Sequence, residues 1–141
     1  MDNKELLDLV SKIRLGLESF RDQLDSRGIY QNFYKFPEGC CGDTTMIVNH
    51  ILVNKGFSNV QQVTAQKDTT HESHAWTLLN DICIDLTADQ FDGFEGNSIL
   101  FTTEDNYPLN KIYPRQSTSL WPLDREYLFN ILNYLENHNH I

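Results

Sequence analysis

Apolar side chains recur at Leu6, Val10, Ile13, Leu17, Phe20 and Leu24, in steps of four and three. That period marks one face of an α-helix, so the pattern predicts an amphipathic helix over residues 5–24. Asp2, Glu5 and Asp8 near its start and Arg21 near its end suit the helix dipole, and Ser26-Arg27-Gly28 supplies a stop. Met46, Ile47, His50, Ile51 and Leu52 carry the same period through a helix over 43–55, closed by Gly56, that reads as a buried central element. A last helix is expected from Pro122 and Asp124 to Asn137, with Leu123, Tyr127, Leu128, Ile131, Leu132 and Leu135 on one side. Between these helices the period shortens. Residues 59–66, 73–79 and 82–87 read as strands, with 98–102 a further short strand and Lys111-Ile112-Tyr113 an edge strand. Residues 29–36 read as a short strand or a loop, 88–94 as a turn, and the tail from Glu136 as frayed.

The two central strands flank Asn80-Asp81, a two-residue hairpin signal. With that loop, Leu79 faces Ile82, Leu78 faces Cys83, Thr77 faces Ile84 and Trp76 faces Asp85. Strand side chains alternate, so His74, Trp76 and Asp85 share one face, with His74 diagonal to Asp85. Diagonal Cβ atoms lie about 7 Å apart, within reach of a hydrogen bond between an imidazole and a carboxylate. The opposite face holds Ala75, Thr77, Leu79, Ile82, Ile84 and Leu86, nearly all apolar. A register slip of one residue would break both features together.

Composition narrows the classes. A chain of 141 residues is one domain, 1–141, able to bury its own core. A net charge of −9 disfavours nucleic acid and anionic membrane as partners. No apolar run is long enough to span a bilayer and no signal-peptide pattern opens the chain, so a cytoplasmic location is expected. Three cysteines, two of them adjacent, do not make a disulfide framework, and their thiols stay available.

The stretch Phe36-Pro37-Glu38-Gly39-Cys40-Cys41-Gly42-Asp43 delivers a thiol to a helix start, where unpaired N–H groups and the dipole favour a thiolate. Cys41 lies nearer the helix than Cys40. His50 is roughly 13 Å along the helix from Cys41 at 1.5 Å per residue, too far to act as its base, and is structural. Cys41 as nucleophile, His74 as base and Asp85 as orienting carboxylate form a triad for thiol-mediated acyl transfer. Trp76, Phe36 and Tyr34 are candidate walls of a substrate groove, and Gln31 and Asn32 candidate side-chain donors to an oxyanion. Cys83, between Ile82 and Ile84, reads as a small buried hydrophobe. Two rivals stand beside the triad. One is a zinc site from Cys40, Cys41, His71 and His74, disfavoured by the strain of adjacent ligands. The other is a catalytically idle binding module on the same fold.

Gly39-Cys40-Cys41, His74-Ala75-Trp76 and Asp85-Leu86-Thr87 resemble the G-x-C, H-A-W and D-x-T signatures of transglutaminase-like proteins in the papain-like superfamily. The resemblance covers residues 36–91. It implies an α+β fold in which a central helix bearing the cysteine at its N-terminus packs on an antiparallel sheet, with flanking N- and C-terminal helices. It also implies a cysteine hydrolase or acyltransferase without cofactor or metal. The substrate would be a peptide or protein presenting an amide or thioester carbonyl to Cys41, His74 and Asp85.

Overall fold

The computed structural model describes residues 2–24, 30–96, 98–120 and 122–141; within them the side chains of Gln31, Asn32 and Arg115 are not described. The expected stop at Ser26-Arg27-Gly28 therefore lies outside the described residues. The fold is α+β, with three long helices and a five-stranded antiparallel sheet among the described residues.

Helix α1 (Asn3–Asp22) opens on a capping box: Glu5 N donates to Asp2 Oδ1 at 2.9 Å and Asp2 N to Glu5 Oε2 at 3.2 Å. Residues 31–34 form one helical turn, α2 (Gln31–Tyr34), rather than a strand. Its Phe33 and the following Phe36 stack at 6.3 Å and are buried. Helix α3 (Cys41–Asn54) begins two residues earlier than expected, so Cys41 is its first residue. Gly56, at φ 96°, ends it in the left-handed region that glycine enters without a Cβ clash.

Strands β1 (Val60–Gln66), β2 (Ser73–Leu79), β3 (Ile82–Asp85), β4 (Leu100–Thr103) and β5 (Arg115–Ser119) assemble in the order β4-β3-β2-β1-β5. The hairpin register is as the alternation requires: Leu79 pairs with Ile82, Leu78 with Cys83 and Thr77 with Ile84. Asn80 sits at φ 55°, a conformation asparagine tolerates at such a turn. One face of the sheet, with Val60, Leu79, Ile84 and Leu86, joins the helices in the main core. Thr77 on that face donates to Asn49 Oδ1 of α3 at 2.6 Å. The other face, with Val63, Ala65, Trp76, Leu78 and Cys83, lies under Ala88, Tyr107, Leu109 and Tyr113. Among the described residues no strand or long helix covers it; the covering segment, within 88–113, is mostly irregular.

Three expectations fail here. The edge strand is β5, not residues 111–113. The amides of Ile112 and Tyr113 bond to Leu109 O at 3.1 and 2.9 Å, which closes a turn and leaves nothing for a ladder. Helix α4 (Glu126–Asn137) starts four residues after Pro122, with Arg125 in the capping position in extended conformation. The tail is docked rather than frayed: His140 N donates to Leu135 O at 2.8 Å and Ile141 packs on the core. Gly16 makes room for it on α1, since a Cβ there would meet Leu135 and His140.

Candidate active site

Asp85 ends β3, and the chain turns back on it at once. Thr87 N donates to Asp85 Oδ1 at 2.9 Å and Thr87 Oγ1 to the same oxygen at 3.3 Å. The D-x-T spacing is thus an aspartate holding the backbone two residues on. The other oxygen, Oδ2, accepts the Tyr107 hydroxyl at 2.6 Å and bonds to His74 Nε2 at 2.7 Å. The Asp85 and His74 side chains are 1 % and 0 % exposed. Burial makes an unpaired carboxylate costly there, and four donors answer for it.

His74 Nε2 is committed to Asp85, which leaves Nδ1 with no fully formed hydrogen bond. The Cys41 thiol lies close enough to act on the ring's charge. Burial pulls the His74 pKa down, but the hydrogen bonds and charges of Asp85 and Cys41 outweigh it and raise the value to about 9. Aromatic rings close the remaining directions: Phe91 edge-on at 4.8 Å, Trp76 at 5.8 Å and Tyr113 at 5.8 Å.

The structure separates the adjacent cysteines. Cys41 is half-buried and lies against His74. Cys40 is 2 % exposed and points into the core, where Thr44 Oγ1 donates to its sulfur at 3.6 Å. Burial pushes its thiol up to about 12. Cys83 is buried on β3 and is likewise pushed up to about 12, first by burial. Asp43, in the first turn of α3, accepts Arg125 Nη1 at 3.0 Å and the Tyr127 hydroxyl at 2.7 Å, so its charge at the helix start is answered.

Of the residues the sequence assigned to a groove, Trp76 and Phe36 are corrected to core. Trp76 is 1 % exposed under Tyr107, with ring centroids 4.7 Å apart. Phe36 is 2 % exposed beneath the Arg14 guanidinium, 4.6 Å from its ring centroid. An aromatic on the dyad face is covered because a loop packs over that face, which alternation alone does not reveal. Tyr34 is exposed on α2. The side chains of Gln31 and Asn32 lie outside the described ones. Among the described residues no group of three or more His, Cys, Asp or Glu side chains is arranged to hold a metal, and the proposed set with Cys40, Cys41, His71 and His74 does not assemble. His71 is exposed on the loop before β2, and the Cys40 sulfur faces the core.

Three residues escaped the sequence reading: Tyr107, Phe91 and Tyr113. All belong to the irregular covering segment, where no periodicity marks which side chains turn inward. A cavity of about 240 Å³ adjoins this wall, lined by Lys67, Phe91, Asp92, Phe94, Leu109, Ile112 and Tyr113. It is the open space beside the imidazole's aromatic wall, although neither Cys41 nor His74 lines it. Comparison of the chain with protein-family models, with curated proteins and with solved structures gave no match.

Proposed function

We propose that the protein is a thiol-dependent acyl-transfer enzyme with Cys41 as nucleophile, His74 as base and Asp85 as the group that orients His74. The observation that carries this reading is the buried imidazole bonded through Nε2 to Asp85 Oδ2 at 2.7 Å, with Nδ1 unpartnered and the Cys41 thiol close enough to act on its charge. The assignment of roles follows: Nε2 donates to the carboxylate, so Nδ1 is the nitrogen that exchanges a proton with the thiol. In the reaction the sulfur bonds to a carbonyl carbon of a peptide or protein substrate. His74 then gives the proton to the leaving amine as the C–N bond breaks, and water or an amine releases the acyl group from the thioester. Hydrolysis of amide or peptide bonds is the primary reading and transfer to an amine the variant of it. The accompanying fold reading is transglutaminase-like within the papain-like superfamily, supported by a cysteine helix lying on an antiparallel sheet that bears the dyad.

Site-resolved alkylation tests it. Iodoacetamide labels Cys41 at neutral pH at least about tenfold faster than Cys40 and Cys83, and His74→Ala removes that advantage. Equal Cys41 rates in the two proteins would reject the triad. The sign of the pH effect follows from His74: with a pKa of about 9, the imidazolium is present through neutral pH and lost above it. The rates of wild type and His74→Ala therefore converge as pH rises past that value.

The competing reading is an idle binding module, and one observation favours it: the His74 side chain is 0 % exposed behind its aromatic wall. That reading predicts ordinary Cys41 reactivity in wild type and no change on His74→Ala.

A further inference from the structure

The tyrosines of the core and site are partnered with one exception. Tyr107 donates to Asp85 at 2.6 Å, Tyr127 to Asp43 at 2.7 Å, Tyr134 shares a hydrogen bond with Ser19 at 2.7 Å, and Tyr30 accepts from Asn130 at 3.3 Å. Tyr34 also has a partner. The Tyr113 hydroxyl makes no hydrogen bond among the described residues, and although the residue as a whole is only 2 % exposed, its oxygen is not one of the sealed polar atoms of the interior. Its ring is held in place on several sides, by His74 at 5.8 Å, by Phe91 at 5.9 Å and by Lys67 Nζ 5.7 Å from the centroid. Lys67 is itself fixed by Glu72 at 2.6 Å. The hydroxyl is not sealed in the core, and a phenol on a fixed ring packed against His74, close enough to Cys41 to feel its charge, has an O–H free to donate to a substrate.

We propose that the Tyr113 hydroxyl is the side-chain donor to the oxyanion formed when Cys41 attacks a carbonyl, a role that rests on Cys41 acting as the nucleophile. As the S–C bond forms, the carbonyl π pair moves onto oxygen. The phenolic O–H and the backbone N–H of Cys41 at the helix start stabilise that charge. When the pair returns, the bond to the leaving group breaks and the proton held by His74 goes with it. Tyr113 keeps its own proton throughout. Burial pushes the phenol's pKa up; Lys67 opposes this, while Glu72 and Cys41 reinforce it, so the hydroxyl stays a donor at neutral pH.

Two probes on the full chain separate this role from nucleophilicity. Iodoacetamide alkylates sulfur by displacement at a saturated carbon and forms no oxyanion, whereas p-nitrophenyl acetate acylates it through a tetrahedral oxyanion and releases p-nitrophenolate. The readout is the ratio of acylation rate to alkylation rate at Cys41. Tyr113→Phe, which keeps the ring and its packing, lowers that ratio about a hundredfold, as loss of one oxyanion donor does elsewhere. An unchanged ratio in a variant with wild-type circular dichroism overturns the proposal. An unpartnered buried donor, Gln90 Nε2, serves as the rival: a ratio that falls in Gln90→Ala and not in Tyr113→Phe overturns the proposal as well. If wild-type Cys41 alkylates rapidly but its ratio is no higher than that of free cysteine, the oxyanion role alone fails. If Cys41 alkylates no faster than in His74→Ala, the nucleophile reading fails and this role with it.

Discussion

Asp85 shows how much one buried carboxylate requires. Oδ1 takes two donors from Thr87 and Oδ2 takes Tyr107 and His74, which fills the acceptor positions of the group. The donors are not equal. Tyr107→Phe removes a short bond to a buried charged acceptor and should cost about 1.5–3 kcal/mol in urea unfolding. Thr87→Val removes only the long 3.3 Å contact and keeps the 2.9 Å backbone bond, so its cost should stay below about 1 kcal/mol. His74 carries a pH signature. Its folded pKa of about 9 lies above the unfolded value near 6.5, so its contribution to stability is fully present below that unfolded value and lost as pH rises through the folded one. The difference in urea midpoint between wild type and His74→Gln should therefore shrink from pH 6 to pH 9.5. A constant difference would mean that the ring contributes by packing alone.

At the scale of elements, the hairpin and α3 place the chemistry and α1 with α4 hold them. The register of β2 on β3 was legible because two independent patterns, the apolar face and the His74–Asp85 diagonal, demanded the same alignment. The long helices were legible from their period, with ends displaced by a few residues. The edge strand was not. Arg115–Ser119 is polar on both faces, so no alternation distinguishes it from a loop, and its pairing with β1 is decided by the open edge of the sheet. Gly16 tests the contact between α1, α4 and the tail. Alanine favours a helix interior over glycine by about 1 kcal/mol. Even so, Gly16→Ala should destabilise by about 1 kcal/mol or more, because a methyl there collides with buried Leu135 and with the Cβ of His140. Thermal unfolding of the variant measures which effect wins.

For the whole molecule, one buried cation joins the helical layer to the turn that carries the acid. Arg14, 5 % exposed on α1, donates to Leu86 O at 2.6 Å and to both oxygens of Asp89 at 2.9 Å, and pairs with Glu18 at 2.8 Å. Its guanidinium also covers Phe36, five residues before Cys41. Arg14→Met should cost about 3–5 kcal/mol by leaving Asp89 without its partner in a poorly solvated site, and Asp89→Asn in the same chain should restore much of it. Urea denaturation of the two variants gives the comparison. Nothing in the sequence singled out Arg14, since charged residues on an amphipathic helix ordinarily face water. Among the described residues no helix is long and apolar enough to cross a membrane.

The amino-acid order by itself determined the features governed by neighbours along the chain: helix periods, the Asn80-Asp81 turn, the placement of Cys41 at a helix start, and the shared face of His74 and Asp85. Their physical basis is local, because hydrogen-bond geometry and strand alternation act over a few residues. Only the tertiary structure decided that Cys40 turns into the core, that Trp76 and Phe36 are core, and that Tyr107 and Tyr113 close around the dyad. Those outcomes depend on how an aperiodic segment packs over a sheet face, and packing is settled by contacts between residues far apart in sequence.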